Sequence, residues 1–162
     1  MTIGDGLIRL GIIGVGNMGS EHCRMILDGK CPEVSLRAVA DLRASRRAWA
    51  AETLGDGVSV FGDGLELIAS GCCDAVLIAV PHFQHEPLAV AALEGGLDVL
   101  CEKPAAVQAD RAEHMIRVAE KTGKTLTFMF NQRTNCVYRA MKELLDGGEM
   151  GAIKRMNWII TD

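Results

Sequence analysis

Apolar residues in this chain fall into short blocks separated by stretches of helical period. Leu7, Ile8, Leu10, Ile12 and Ile13 predict a strand that runs into the glycines of GIIGVGNMGSEH, Gly11 to His22. Met18 to Leu27 then reads as a helix stopped by Asp28-Gly29, and Val34, Leu36, Ala38, Val39 and Ala40 as a second strand closing on Asp41. The pattern repeats with a helix over Arg43 to Leu54, a short strand over Val58 to Phe61, a short helix over Leu65 to Ala69 and an apolar strand over Asp74 to Val80. Pro81 ends that strand. Glu86 to Glu94 predicts a helix stopped by Gly95-Gly96, Asp98 to Cys101 a strand, Asp110 to Thr122 a helix and Thr125 to Phe130 a further strand. Strands that are apolar on both faces and alternate with helices indicate a parallel sheet covered on both sides.

Roughly five or six such strands, joined by right-handed crossovers, make a doubly wound α/β sheet of Rossmann type the expected fold. In that context the glycines acquire separate tasks. Gly14 permits the tight turn after the first strand, Gly16 lets a pyrophosphate approach the backbone, and Gly19 lets the helix pack close to the strand. The free N–H groups that follow, at Asn17 and Met18, lie at a helix N-terminus whose dipole favours negative charge. Asp41 stands 22 positions after Gly19 (41 − 19), where a carboxylate accepts hydrogen bonds from the adenosine ribose. That favours NAD over NADP. Arg43, Arg46 and Arg47 keep NADP open, since any one of them is able to pair with a phosphate; a solvated helix face is the expectation for at least two of the three.

Composition narrows the partners. A chain of 162 residues that is 49% hydrophobic buries one full core, and its formal charge of −4 with scattered basic residues excludes a nucleic-acid stripe. No run reaches the roughly 18 to 20 apolar residues of a membrane helix, and no signal-peptide pattern opens the chain, so a cytoplasmic setting is expected. Six cysteines without a CxxC pairing read as reduced, mostly buried thiols.

CEKPAA, Cys101 to Ala106, falls at the carboxyl end of a predicted strand, on the sheet edge where the glycine turn lies. Pro104 fixes the backbone after Lys103, in a bond that sequence leaves open to either isomer. The glycine turn, the acid on the second strand and Glu102-Lys103-Pro104 together resemble the glucose-fructose oxidoreductase and inositol dehydrogenase family, Gfo/Idh/MocA. AVPHFQHEPLAVAAL from Ala79 and FNQR from Phe130 extend the resemblance over essentially the whole chain. It implies hydride transfer between a nicotinamide cofactor and a hydroxyl-bearing carbon of a sugar or polyol, with Lys103 assisting proton movement at the substrate oxygen. An ordinary lysine amine is a poor base at neutral pH, so the chemistry needs surroundings that favour its neutral form. Glu102 is expected to orient the loop or Lys103. Pro81 and His85 are expected beside the cofactor, and Asn131 near nicotinamide or substrate, with turn capping as its alternative. His82 and His85, three positions apart, have no third ligand nearby, and no metal site is expected.

The resemblance also implies a second, mostly antiparallel domain that covers the nicotinamide and makes the full-length form a homo-oligomer. The expected division is a dinucleotide domain over residues 1–150 and the start of the second domain over 151–162. From Ile153 the residues alternate, with Met156, Trp158 and Ile160 opposed to Arg155, Asn157 and Ile159, which predicts a single strand with a sticky edge. A fragment of a longer enzyme is the favoured expectation; a partner chain supplying the missing surface, or an inactive truncated product, also fits. Two other functions compete: a dinucleotide-binding module without turnover that pairs through its last strand, and an α/β domain with no dinucleotide.

Overall fold

The computed structural model describes residues 6–157 and 159. The chain divides into two units, Met1–Met129 and Phe130–Asp162. The first contains strands β1 (Ile8–Ile13), β2 (Val34–Ala40), β3 (Ser59–Phe61), β4 (Ala75–Ile78), β5 (Asp98–Cys101) and β6 (Leu126–Phe128). Between them run helices α1 (Asn17–Leu27), α2 (Ala44–Thr53), α3 (Gly64–Ala69), α4 (His85–Glu94) and α5 (Ala109–Thr122). The strands form one six-stranded sheet in the order β3-β2-β1-β4-β5-β6, every pair parallel. The order reverses direction between β1 and β4, which is where a doubly wound sheet opens a crevice at its carboxyl edge.

The two-residue period of the strands sorts the core into two layers. Ile13, Ala38, Ala40, Val76, Ile78, Val99 and Cys101 pack on Leu67, Leu93 and Met115 on one face. Leu10, Ile12, Leu36, Val39 and Leu77 pack on Cys23, Ala50 and Leu54 on the other. Leu36 and Ala38 share a parity yet face opposite layers. The register between β1 and β2 explains this: Leu10 pairs with Leu36 but Gly11 with Ala38, so Arg37 is an extra residue that turns the rest of β2 over. The bulge puts Val39 under α2 and delivers Asp41 to the glycine turn.

The strand expected over Asp74 to Val80 closes at Ile78, because β1, its partner, ends at Ile13 and only the bond from Ala79 N to Ile13 O (2.8 Å) prolongs the pairing. Of six thiols, all free, only Cys23, Cys73 and Cys101 are buried; Cys31 and Cys72 are half-buried and Cys136 is exposed. Burial pushes the thiols of Cys23, Cys73 and Cys101 up to about 12. No helix among the described residues is long and apolar enough to cross a membrane.

The second unit carries a 3-10 turn at Asn131–Thr134 and α6 (Cys136–Asp146), whose first turn is capped by Asn135 accepting from Val137 N at 3.0 Å. α6 buries none of its residues, and Val137, Met141 and Leu144 are exposed along it. Residues 153–157 and 159 do not form the expected strand. A strand needs a neighbouring backbone to receive its N–H and C=O groups, and no second sheet exists among the described residues. Trp158 and Ile160 of that expectation lie outside the described residues.

Candidate functional site

The carboxyl edge of the sheet is organised around Gly14. Its φ of +90° is open to glycine, and a Cβ there would stand 2.5 Å from the Ala79 carbonyl oxygen. Gly14 N donates to Ala40 O at 2.7 Å, and the next amide, Val15 N, donates to Asp41 Oδ2 at 3.0 Å. Asp41 therefore holds the turn as well as ending β2. Its other oxygen, Oδ1, accepts from Arg43 N at 2.9 Å and lies 3.4 Å from Arg43 Nε. Each carboxylate oxygen has two acceptor positions, so capacity for further donors remains on Oδ2.

α1 begins at once after the turn. Gly16 is its N-cap and offers no side chain to the first-turn amides, while Ser20 N makes the first helical bond to Gly16 O at 3.0 Å. The N–H groups of Asn17, Met18 and Gly19 point out of the helix end without a side-chain cap. A Cβ added at Gly16 would meet only Arg43 Nη2, at 3.5 Å, so the absent side chain leaves room above these amides with a guanidinium at its side. A Cβ at Gly19 would run into the Gly14 carbonyl, which shows how closely helix and turn approach. An anionic group fits this cradle: it has uncapped donors, a helix dipole and a neighbouring cation. The three arginines separate here. Arg43 reaches the turn; Arg47 Nη1 is held by the carbonyls of Asp41 (2.9 Å) and Leu42 (2.8 Å); Arg46 is half-buried on α2.

Lys103 follows β5 at the same edge and is exposed, and the Lys103–Pro104 peptide is cis. Among the described residues, its ammonium has no hydrogen-bonding or ion-pair partner. The backbone around it is held from both sides. Glu102, 6% exposed, accepts at Oε2 from Lys103 N (3.1 Å) and at Oε1 from His22 Nε2 (2.9 Å). His85, fully buried, has Nδ1 at 2.8 Å from Pro104 O and Nε2 at 3.0 Å from Val80 O. Carbonyl oxygens only accept, so a neutral ring satisfies one of these contacts and an imidazolium both. Pro81 and His82 are exposed at the start of the 3-10 turn His82–Gln84, and the His82 ring lies edge-on to His85 at 5.5 Å between centroids. Asn131 is exposed and opens the 3-10 turn of the second unit.

His22 is the residue that reading the sequence misses. It is 80 positions from Glu102, and no local pattern announces the pair. One signal was available: His22 lies three residues after Gly19, beside Cys23 and Ile26 on the face of α1 that turns inward, where an imidazole needs a partner.

Comparison with known proteins bears on the family and the fold. Residues 8–130 match the model of the GFO_IDH_MocA family, described as an oxidoreductase family with an NAD-binding Rossmann fold. The inositol 2-dehydrogenase of Rubrobacter xylanophilus is 38% identical over 146 residues, covering 90% of this chain and 41% of that protein. That of Corynebacterium glutamicum strain R is 34% identical over 147 residues, 90% of this chain and 43% of that protein. The crystal structure of scyllo-inositol dehydrogenase from Lactobacillus casei with bound NAD(H) and scyllo-inositol superposes with a TM-score of 0.83 at 30% identity, over 91% of this chain and 43% of that one. The chain thus spans less than half the length of the curated relatives it matches. The family match spans the whole six-stranded sheet, from β1 to Phe130, and the protein belongs to the GFO_IDH_MocA oxidoreductase family.

Proposed function

We propose that this chain binds NAD along the carboxyl edge of its sheet and, within a whole protein, serves hydride transfer between that cofactor and a hydroxyl-bearing carbon of a polyol of the inositol class. The observation that carries the reading is the shared edge: the uncapped first turn of α1, Asp41 and Lys103 all stand at the carboxyl ends of β1, β2 and β5 of one sheet. The amides of Asn17, Met18 and Gly19 take the pyrophosphate, Gly14 and Gly16 keep side chains out of its way, and Arg43 flanks it. Asp41 takes the adenosine ribose. Its negative charge, at a side chain only 8% exposed, opposes a 2′-phosphate and so favours NAD, with Arg43 as the counterweight that lets NADP compete. Pro81, exposed three residues past the end of β4, is assigned to the cofactor's border on the same reading.

The cofactor supplies or accepts hydride at its nicotinamide. Lys103 handles the proton: the neutral amine takes it from the substrate hydroxyl in the oxidative direction and the ammonium returns it in the reductive one. Its ammonium has no partner among the described residues and is open to a substrate oxygen, and the positive charge of a bound oxidised nicotinamide would favour the neutral amine that proton abstraction needs. Glu102 and His85 have their polar atoms committed to the protein and act as positioning residues that hold the Lys103 backbone. The polyol preference rests on the inositol dehydrogenases to which the chain is similar.

Calorimetric titration of this chain with NAD(H) and NADP(H) tests the cofactor assignment. Saturable binding with NAD tighter is expected; a folded, monodisperse sample that binds neither overturns the reading. In a full-length form, Lys103→Ala should lower turnover on inositol by roughly 10²- to 10⁴-fold with cofactor affinity nearly unchanged. Near-normal turnover would remove Lys103 from the chemistry.

A further inference from the structure

The contact between His22 and Glu102 joins two parts of the site that the chain itself keeps far apart. Glu102 is one of the few polar side chains buried in the sheet unit, and an ionised carboxylate so placed is tolerable only if its lone pairs meet donors. It has two. Oε1 faces His22 Nε2 at 2.9 Å and Oε2 faces Lys103 N at 3.1 Å. A carboxylate only accepts, so His22 Nε2 carries its proton in this contact. The His22 side chain is 15% exposed, which leaves the pair little water to exchange for its partner.

The consequence lies in where His22 is anchored. It is the sixth residue of α1, whose first turn presents the uncapped amides of the glycine turn. The amides and the imidazole belong to one continuous 11-residue helix, whose i to i−4 hydrogen bonds fix their spacing. The backbone amide of Lys103 is thereby tied, through Glu102, to the helix that would carry the cofactor phosphates. β5 alone does not do this. Its last pairing is Ile78 with Cys101, and Glu102 N donates to Ile78 O at 2.9 Å, so the ladder reaches Glu102 and stops before Lys103.

We propose that His22 and Glu102 are a positioning couple that sets Lys103 in register with the first turn of α1, so that the proton-handling residue and the phosphate cradle are held as one body. The proposal rests on the reading above that Lys103 acts at the nicotinamide end of a dinucleotide. It makes His22 a functional position acting through Glu102, without contact to substrate or cofactor.

Nitrogen-proton correlation spectra of this chain, recorded without and with NADH, test it. The Lys103 amide proton, bonded to a carboxylate, is expected downfield; Glu102→Gln should move it upfield. The coupling predicts that His22→Ala moves the same resonance in the same direction, while amides on β1 and β4 stay in place, and that His22→Gln, which still offers an N–H donor, restores much of the shift. A folded His22→Ala chain whose Lys103 amide is unmoved overturns the couple. Should His22→Ala fail to fold, Glu102→Gln is decisive: the His22 ring proton and the Lys103 amide shifting together supports the couple, and Lys103 shifting alone overturns it. No binding of NADH by the wild-type chain removes the dinucleotide reading and the proposal with it, whereas binding accompanied by a Lys103 amide indifferent to His22 removes the couple only.

Discussion

At the amino ends of the strands, Arg9 and Asp74 close on one another: Asp74 Oδ2 accepts from Arg9 N and Nε, both at 3.0 Å, and Oδ1 from Arg9 Nη2 at 2.7 Å. Asp98, at the start of β5, likewise accepts from Thr125 N at 2.8 Å just before β6. Each charge here is spent on joining one strand start to the next. At the carboxyl ends the pattern is different. Asp41, Glu102 and His85 also bind backbone groups, but what they hold in place is a set of groups left outward: the α1 amides, the Arg43 guanidinium, 61% exposed, and the Lys103 ammonium. The same sheet therefore has one edge closed upon itself and one edge prepared for a ligand, and polar residues at either edge are distinguished by what they leave free.

The carboxyl edge is most sensitive at Gly19. A methyl group there must displace the Gly14 carbonyl, which is backbone and has nowhere inexpensive to go. Gly19→Ala should weaken NADH binding by at least about 100-fold, roughly 3 kcal/mol, and lower the melting temperature. Calorimetry and a thermal melt on the same sample check this; near-wild-type affinity would show that the turn relaxes without consequence.

Asp41 belongs to both kinds of residue. It holds Val15 N, as an amino-edge acid would hold its neighbour, and it also keeps acceptor capacity for a ribose. Asp41→Ala should therefore weaken both cofactors through the loosened turn and weaken NAD further, by about tenfold relative to NADP, through the lost ribose acceptor and the removed negative charge. Parallel titrations with the two cofactors separate the parts. An equal loss for both would leave Asp41 a turn-holding residue alone.

The carboxyl edge was largely legible in the sequence and the amino edge was not, and the reason is physical. Gly14, Gly16 and Gly19 declare a constraint of backbone geometry that acts within a few residues, and Asp41 sits where the end of an apolar run must be. Lys103 is legible because Pro104 and a strand end fix its place. Contacts between distant residues leave no such mark. His22 with Glu102 and Arg9 with Asp74 are 80 and 65 positions apart, and even where one member carries a hint, as Glu102 does beside Lys103, nothing local names its partner. Arg47 shows the same limit at short range: its charge does not announce that Nη1 reaches the carbonyls of Asp41 and Leu42, just before its own helix. α6 is different: Val137, Met141, Leu144 and Leu145 recur at helical spacing, so its signal was in the sequence, and what the sequence does not show is that this apolar face stays uncovered among the described residues.

The smallest expected effect lies at the closed edge. The hydrogen bonds from the Arg9 side chain hold the Asp74 carboxyl below its ordinary value of 3.8, against a smaller opposing push from burial. A carboxyl whose folded value is depressed contributes stability that is fully present above 3.8 and is lost as pH falls through the lower, folded value. Glu86, held below its ordinary 4.5 first by the hydrogen bond from His114, adds a loss of the same sign. Asp74→Asn should thus cost a little stability at neutral pH, and the melting temperatures of variant and wild type should converge as pH is lowered from about 4, with the Glu86 contribution common to both. Because the pair is partly open to water, the gap is small. NADH affinity should not change at all. A variant that keeps its gap at low pH would mean that Asp74 acts through packing and not through charge, and one that loses NADH affinity would mean that the two edges are not the separate devices their hydrogen bonds describe.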